Sequence, residues 1–431
     1  MIRRTLLLLL LLCTNAVFAG RQPAETAAAL VEEMFVDVAG GKKIASELRR
    51  RAAAGEFDKL TGTALAEAMT AAMHAVELDK HNNVRFNAAS AAEPYLTPAQ
   101  ALQQLKENRQ RGPRRPGPAE LANAKRNNFG VKRVEVLPGN IGYLRLDQFA
   151  PLELVRETLS AAMQILGNTD AVIVDLRENS GGSGDTVGYL SSYFLPADDR
   201  VLMIRHSREL GAMESKVVET PTRRFENVPL FVLTSDRTFS AGEAFAFGLQ
   251  GYGRATVIGE TTSGGGRPNA FMPLGGGLQL SVSIASSVHP KSGKGWQGTG
   301  VVPEIATKEE EALDAALNAA RTKIAGDVKL APHIEALLAA LNGPAAEFEP
   351  FAQKQYAKSL LEQRSVAERA TFIERIQNDF GKVYLLKPVE ITPTKTVIEI
   401  SGAKGITGEL AVEHEAAPPH PFKTVTIRRR G

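Results

Sequence analysis

Ser240 is the residue whose place in this sequence is most suggestive of chemistry. It follows a short apolar run, Leu230 to Leu233, and it opens a stretch of small and apolar residues that ends near Gln250. This order predicts a serine at the start of a helix that follows a buried strand. The free N–H groups and positive dipole of a helix start stabilise a negative oxygen, which favours acyl transfer to the hydroxyl. The alternative interpretation is a serine that only caps the helix, because serine is a common N-cap residue.

A glycine-rich segment from Ser180 to Gly184 is the second candidate. It follows another apolar run, Ala171 to Leu176. Glycines allow backbone N–H groups to turn toward an anion. The segment lacks the Gly-Lys-Ser/Thr sequence of a phosphate loop and the glycine spacing of a dinucleotide-binding loop. An oxyanion-binding loop and a flexible turn remain as interpretations.

Both segments lie at expected strand-to-helix junctions, where ligands commonly gather in α/β sheets. Alternating strand and helix patterns predict an α/β core over residues 131–306. The Ala-, Glu- and Leu-rich sequence before it predicts a helical N-terminal domain over residues 20–130. A helical connector is expected at residues 307–330, and an α+β C-terminal accessory domain at residues 331–431.

Shorter patterns predict individual elements. The segment from Asn83 to Phe86 is expected to be extended, and Val134 to Leu146 reads as a hairpin around a Pro-Gly-Asn turn. The glycines and prolines between Arg111 and Pro118 predict a linker. The stretch from Phe348 to Phe380 is predicted to be helical.

The first nineteen residues (1–19) predict an export signal. Arg3 and Arg4 precede an apolar run from Leu6 to Leu12, and Val17-Phe18-Ala19 supplies small residues at the expected cleavage position. The apolar run is well short of the ~20 residues needed to cross a bilayer. We therefore expect a periplasmic or extracellular protein without an integral membrane span after signal removal.

Composition narrows the class of protein further. The 431 residues are 43% hydrophobic and 23% charged, which excludes a wholly disordered chain. Lys and Arg total 51 against 48 Asp and Glu, a balance too even to indicate a nucleic-acid partner. Cys13, the only cysteine, lies in the predicted signal, so no disulfide, thiolate zinc site or cysteine nucleophile is expected after cleavage. The seven histidines lack metal-ligand spacing, and neither a metal nor a cofactor is predicted.

Five motifs of the core resemble, in order, those of the carboxyl-terminal processing (tail-specific) serine peptidases, in the branch that includes interphotoreceptor retinoid-binding protein and tricorn-like enzymes. The motifs are Leu137–Leu144, Asp175–Gly182, Thr238–Glu243, Gly259–Thr262 and Gly300–Glu304. The resemblance implies a crotonase-like ββα-type peptidase core. It also implies hydrolysis of peptide bonds by a serine nucleophile.

Carried onto this sequence, the resemblance implies that Ser240 is the nucleophile. The backbone N–H groups of Ala241 and of Gly181 or Gly182 are the implied oxyanion-hole donors. The processing peptidases of the family use a lysine base, but no lysine stands near Gly265, the corresponding place in this chain.

A histidine is therefore the expected base. The sequence Asp79-Lys80-His81 resembles the element through which the other branch contributes a histidine from before the core, and imidazole titrates near neutral pH. His81 is the first choice and His289, which lies near the closing motif, is the reserve base. Lys291 and Lys294 would have to be desolvated to act as bases.

Gln297 is a departure from the family within the predicted catalytic set. The family usually has a glutamate at this position, which could orient the base or complete a relay. A neutral amide cannot stabilise an imidazolium by charge. Arg267 likewise stands where the family commonly has a histidine. These differences suggest weak activation of Ser240.

The predicted function is that of an exported serine-type peptidase that acts on a polypeptide through an acyl-enzyme on Ser240. The alternative is a catalytically weakened or inactive protein of peptidase fold that binds peptides or apolar ligands. A third interpretation is an esterase-like hydrolase that uses the same nucleophile. The oligomeric state is not predicted.

Overall fold

The computed structural model describes residues 20–111, 117–196, 200–217, 224–326, 330–404 and 406–430. The predicted export signal, residues 1–19, lies outside the described residues, as do residues 112–116 of the predicted linker. None of the helices within the described ranges has both the length and the apolar character that crossing a membrane requires.

The N-terminal part is helical, as its sequence predicts. The carboxylate of Asp37 starts the second helix by accepting the N–H of Ala39 at 3.1 Å. The helices bury an apolar core to which Leu30, Ile44 and Met69 contribute. The described helices of this part are α1 (Arg21–Met34), α2 (Val38–Ala53), α3 (Gly62–His74), α4 (Pro98–Arg111) and α5 (Pro118–Arg126).

One strand of the N-terminal part pairs with a strand from much later in the chain. Strand β1 (Asn83–Phe86) is extended, as predicted, and it pairs antiparallel with strand β10 (Leu278–Ser283), which pairs in turn with β9 (Asn269–Gly275). In this register Val84 lies opposite Leu280, and both side chains belong to the apolar core of the N-terminal helices. The pairing fixes the segment just before β1 against the core.

The central sheet is mixed, and its described strands are β2 (Val131–Leu137), β3 (Ile141–Leu146), β4 (Ala171–Asp175), β7 (Leu230–Thr234), β8 (Ala255–Gly259) and β12 (Ile305–Ala306). Their order across the sheet is β12-β8-β7-β4-β3-β2. Strands β2 and β3 form the predicted antiparallel hairpin, and the other neighbouring pairs are parallel.

Helices cover both faces of this sheet, which is why the sequences of β4 and β7 are almost continuously apolar. Val172 and Val174 pack on one face with helices α6 and α8, whereas Ile173 faces the opposite side and packs with Ala312 and Ala316 of helix α9. The described helices around the sheet are α6 (Leu152–Ile165), α7 (Gly184–Ser191), α8 (Ala241–Gly251) and α9 (Glu309–Ala325).

A further three-stranded sheet has the strand order β11-β5-β6. It consists of β5 (Val201–Ser207), β6 (Gly211–Lys216) and β11 (Ala285–Val288). The sequence did not predict this sheet, because Arg205 and His206 interrupt the apolar alternation of β5. Strand β5 has a neighbour on each side, so its backbone is held by hydrogen bonds on both edges.

The C-terminal part combines helices with an antiparallel sheet. The helices are α10 (Pro332–Asn342), α11 (Ala345–Gln355), α12 (Lys358–Gln363) and α13 (Val366–Phe380). The sheet runs in sequence order and contains β13 (Val383–Ile391), β14 (Lys395–Gly402), β15 (Thr407–His414) and β16 (Phe422–Arg430).

The predicted helical stretch from Phe348 to Phe380 is divided into separate helices. Tyr356 leaves the helical conformation to form a bridge with Phe422. Ser365 then starts the last helix with a capping box, in which Glu368 accepts the Ser365 N–H at 2.7 Å. Tertiary pairing and a local cap therefore overrule a continuous helix. The chain as a whole is mixed α/β, with N-terminal helices, a mixed central sheet and a C-terminal antiparallel sheet.

Candidate active site

Ser240 lies between strand β7 and helix α8, where its sequence context predicts it. Its backbone has φ 52° and ψ −110°, a left-handed conformation that is rare for a residue with a side chain. The residue is partly exposed and lines a cavity. The turn therefore presents the hydroxyl at the end of the strand.

Glu243 holds this turn in place. Its buried carboxylate accepts the Ser240 N–H at 2.7 Å, the Thr262 hydroxyl at 2.6 Å and the N–H groups of Gly264 and Gly265 at 2.6 and 2.8 Å. Burial raises the pKa of the carboxyl, and these hydrogen bonds oppose that rise. One side chain thus connects the start of α8 with the glycine-rich loop that precedes β9.

His81 lies next to Ser240. The Nε2 atom of its ring is 3.0 Å from the Ser240 hydroxyl oxygen, although the two residues are 159 positions apart. The ring is almost fully buried and stacks on Phe239, with 4.4 Å between the ring centroids. This distance is within the hydrogen-bond reach that proton transfer requires.

Burial shapes the protonation of His81. Desolvation lowers the pKa of the ring, the charge of Asp79 raises it, and Arg85 lowers it. The Nδ1 atom is buried and has no hydrogen-bond partner among the described residues. The ring is therefore placed to act as a neutral base, but no carboxylate of the described chain orients it through Nδ1.

Asp79 supports His81 through the backbone instead. Its Oδ1 atom accepts the His81 N–H at 3.0 Å, and its Oδ2 atom accepts the Ser283 hydroxyl at 2.9 Å. Arg267 donates to the same Oδ2 at 3.3 Å and also pairs with Glu77. Arg267 thus anchors the segment that carries His81.

Two of the three predicted oxyanion donors keep their N–H groups available. The N–H groups of Gly182 and Ala241 make no hydrogen bond among the described residues, and both residues line the cavity with Ser240. The Gly181 N–H instead donates to the Asn179 side chain at 2.9 Å. The donor pair offered by the geometry is therefore Gly182 and Ala241.

Gly181 has a steric role at the same place. Its φ is +102°, and a Cβ atom there would lie 2.8 Å from the Ser240 Cβ. Only glycine allows the loop to approach Ser240 this closely.

Gln297 occupies a different position from the one that the sequence predicts for a catalytic residue. Its Oε1 atom accepts the Gly266 N–H at 2.8 Å. No hydrogen bond connects it to His81 or Ser240 within the described chain. Because its amide oxygen accepts a backbone N–H, Gln297 stabilises the glycine-rich loop that precedes β9.

His289, the predicted reserve base, is not brought to Ser240. It is fully buried among aromatic rings, with its centroid 4.7 Å from that of Tyr252 and 6.3 Å from that of Phe247. Desolvation and Lys291 lower its pKa. Lys291 itself lies over the Tyr252 ring at 4.7 Å. The geometry therefore favours His81.

Some supporting residues were missed by the sequence reasoning. Asn179 joins two strand ends, because its side chain binds Leu146 and Gly181 while its carbonyl accepts the Phe239 N–H. Glu243 had a usable signal, since Ser-x-x-Glu at a helix start is a capping-box pattern. The roles of Asn179 and Arg267 depend on contacts between distant segments, which leave no local signal.

The cavity at Ser240 has a volume of about 190 Å³. Its apolar walls include Leu202, Met203 and Trp296, and its polar lining includes Arg205. A space of this size next to a nucleophile can hold one side chain or one end of a peptide.

Part of the chain is similar to known proteins. Residues 140–307 match the model of a family described as peptidase family S41. A carboxy-terminal-processing protease of Bartonella bacilliformis is 31% identical over 194 residues, which cover 43% of this chain and 43% of that protein. A carboxyl-terminal-processing protease of Synechocystis sp. is 33% identical over 158 residues, covering 36% of this chain and 35% of the relative.

The chain is also similar to a solved structure. The photosystem II D1 C-terminal processing protease matches with a TM-score of 0.42 and 15% identity, over 68% of this chain and 94% of that chain. The chain spans less than half the length of the two curated relatives named above. The matched segment contains both the glycine-rich segment Ser180–Gly184 and the Ser240 turn, and it is this part of the chain, residues 140–307, that belongs to peptidase family S41, a family of serine peptidases.

Proposed function

We propose that this protein is a serine peptidase that hydrolyses polypeptides through an acyl-enzyme on Ser240, with His81 as general base. The single observation that carries the proposal is the 3.0 Å approach of the buried His81 Nε2 to a partly exposed hydroxyl. A structural serine at a helix start has no need of an imidazole at this distance. Membership of family S41 supports the same reaction.

The proposed reaction follows from the positions of these groups. The Ser240 oxygen attacks the carbonyl carbon of the peptide bond while its proton passes to Nε2 of His81. The carbonyl oxygen becomes negative, and the N–H groups of Gly182 and Ala241 are available to stabilise it. The imidazolium then gives its proton to the leaving amine as the C–N bond breaks. Water, deprotonated by the same ring, hydrolyses the acyl-enzyme and restores the hydroxyl.

The remaining sequence predictions are part of the same proposal. The arginines and apolar run of residues 1–19 support export to the periplasm or exterior. The family match supports a crotonase-like core within residues 131–306. The flanking helical and α+β domains keep the boundaries given above as proposals.

Substitution of the nucleophile tests the proposal. Purified wild-type protein is expected to cleave an unstructured polypeptide such as casein, and Ser240→Ala should lower the rate by at least about a thousandfold. Ser292→Ala is a matched control, because Ser292 is exposed and lies outside the cavity. Cleavage of equal rate by Ser240→Ala and wild type would refute the assignment of the nucleophile.

A non-catalytic peptide-binding protein is the second candidate. The observation that favours it is the buried Nδ1 of His81, which has no carboxylate partner among the described residues to stabilise an imidazolium. A serine-directed peptidyl phosphonate distinguishes the two functions. Covalent labelling that depends on both Ser240 and His81 supports the peptidase, and no labelling of a folded protein that binds the peptide supports the binder.

A further inference from the structure

Arg205 is a cation in the cavity wall that the proposed reaction does not use. It lies on β5, the central strand of its sheet, opposite Ser287 of β11 and Met213 of β6. Arg205 and Ser287 line the same cavity as the Ser240 hydroxyl. Because the strand is paired on both edges, the backbone that carries Arg205 is held in place, and its side chain starts from a defined position in the cavity wall.

No carboxylate of the described chain lies within ion-pair distance of this guanidinium. Among the described residues the side chain makes no hydrogen bond or ion pair, and it is partly buried. Asp185 is the acidic group that acts on it through space, but Asp185 is exposed and too far away for a contact. Burial lowers the pKa of Arg205, which reflects the cost of removing its charge from water without a partner.

The neighbouring backbone adds to the positive character of this wall. The guanidinium packs directly on Gly184, the first residue of helix α7, where a Cβ atom would lie 2.2 Å from Nη2. The free N–H groups of a helix start favour an anion. The cavity therefore offers a guanidinium fork beside a helix start, with apolar walls from Leu202 and Met203.

We infer that this cavity binds a carboxylate of the polypeptide next to the bond to be cleaved, and that Arg205 is its partner. The inference rests on the proposed function and adds a substrate class to it. A guanidinium and a carboxylate match in geometry and can form two parallel hydrogen bonds. The carboxylate can come from an Asp or Glu side chain or from a free chain end, which share this chemistry.

Matched peptides test the inference and separate the two sources. One pair of fluorogenic peptides carries Glu or Gln at a single position beside the cleaved bond, with both chain ends blocked. A second pair has no acidic side chain and ends in a free carboxylate or an amide. We expect kcat/KM to be tenfold to a hundredfold higher for the acidic member of at least one pair, as for a hydrogen-bonded charge pair.

Variants of Arg205 assign the preference to this side chain. In Arg205→Gln the ratio of acidic to neutral peptide should fall to about one, whereas Arg205→Lys should keep part of it. Lys216→Gln is the matched control, because it removes one exposed positive charge from the same sheet outside the cavity. Thermal unfolding of each variant verifies that it is folded. An equal ratio in wild type and Arg205→Gln, or no acidic preference in wild type, overturns the inference.

Binding measurements separate this inference from the proposed function. Fluorescence anisotropy with Ser240→Ala reports the affinity of the same peptides without cleavage. Acid-selective binding that Arg205→Gln abolishes, together with no cleavage by wild type, supports the inference and refutes the peptidase. Cleavage by wild type without a preference for acidic peptides supports the peptidase and refutes the inference. A folded protein that binds none of the peptides overturns the inference.

Discussion

The hydrogen bond between His81 and Ser240 involves a buried imidazole ring to which no carboxylate of the described chain is hydrogen-bonded. The ring is buried against Phe239, and Asp79 binds the backbone of His81 rather than its ring. A proton received at Nε2 would therefore create a cation without a direct carboxylate partner in the described chain. In the proposed reaction, the energetic cost of that cation limits the rate at which Ser240 is activated.

The pH dependence of cleavage reports this cost. His81 acts only when neutral, and its pKa is lowered, so kcat/KM should rise with pH around a midpoint below the ordinary histidine value. At neutral pH the base is then already deprotonated. His81→Asn should reduce kcat/KM on the order of a hundredfold to ten-thousandfold. The measurement is a pH profile of kcat/KM from pH 4 to 8.

Arg85 provides a control for that profile. It is exposed on β1, and its charge lowers the pKa of His81. Arg85→Gln should therefore move the midpoint upward by a small amount that decreases as salt is added. A midpoint above that of free histidine in the wild type would contradict the role assigned to His81.

At the scale of elements, helix α8 and the glycine-rich loop before β9 depend on one buried side chain. The Glu243 carboxylate accepts every hydrogen bond that it makes with these partners. A side chain that replaces it must therefore offer acceptors to all of them. An amide at this position would turn an NH₂ group toward at least one N–H. The start of α8 and the loop would then lose their common anchor.

Glu243→Gln should consequently lower both stability and activity. We expect the free energy of unfolding to fall by about 1–3 kcal/mol, the range for leaving a buried polar group unsatisfied. Denaturant unfolding measures this change, and the rate of phosphonate labelling of Ser240 measures the effect on the turn. Glu260→Gln is the control, since its side chain makes only a 3.5 Å contact at a partly exposed position. Equal stability of Glu243→Gln and wild type would remove Glu243 from this role.

Strands and helices were predicted well from the sequence where the pattern that identifies them is local. The apolar runs of β4 and β7 identify strands covered on both faces, and Ser240 follows directly from its place after β7. The sheet that carries Arg205 was not predicted, because a polar cavity wall breaks the alternation that identifies a strand. The extended segment Asn83–Phe86 was predicted, but its pairing with β10 depends on residues far along the chain.

In the site, too, local features could be predicted from the sequence, whereas contacts between distant residues could not. The types of residue at positions 81 and 240 suggested a base and a nucleophile, but sequence gives no distance between them. The structure supplies that distance. Gln297 was expected near the base on the strength of family position alone, and its contact with Gly266 depends on the path of two loops.

At the scale of the whole molecule, the described residues form separate apolar cores. One core lies among the N-terminal helices, two lie on the faces of the central sheet, and another lies in the C-terminal part. Three histidine rings of the C-terminal part contact one another. The His333 ring meets that of His414 edge to face, with centroids 4.4 Å apart, and stacks on that of His420 at 4.8 Å. We expect this cluster to make the stability of the C-terminal part depend on pH.

Acid should weaken the C-terminal part. Burial, with the charges of His414 and His420, lowers the pKa of His333 to about 4. The unfolded chain therefore takes up a proton that the folded chain excludes as pH falls from about 6.5 toward 4, and stability is lost in that interval. Partial exposure to solvent reduces the effect to about 1–2 kcal/mol.

Denaturant unfolding at pH 5 and pH 7 measures this loss. His333→Gln should reduce the difference between the two pH values, because the substituted side chain does not titrate. His206→Gln is the matched control, since His206 is exposed on β5 and lies outside the cluster. A pH dependence that is unchanged in His333→Gln would contradict the assignment to this cluster.

The pairing of β1 with β10 has a consequence for a chain still on the ribosome. The imidazole is synthesised 159 residues before the hydroxyl, and the strand that secures it follows later still, ending at Ser283. A shorter nascent chain lacks part of the structure that holds the two groups together. The proposed activity therefore requires that nearly two-thirds of the chain has been synthesised and folded.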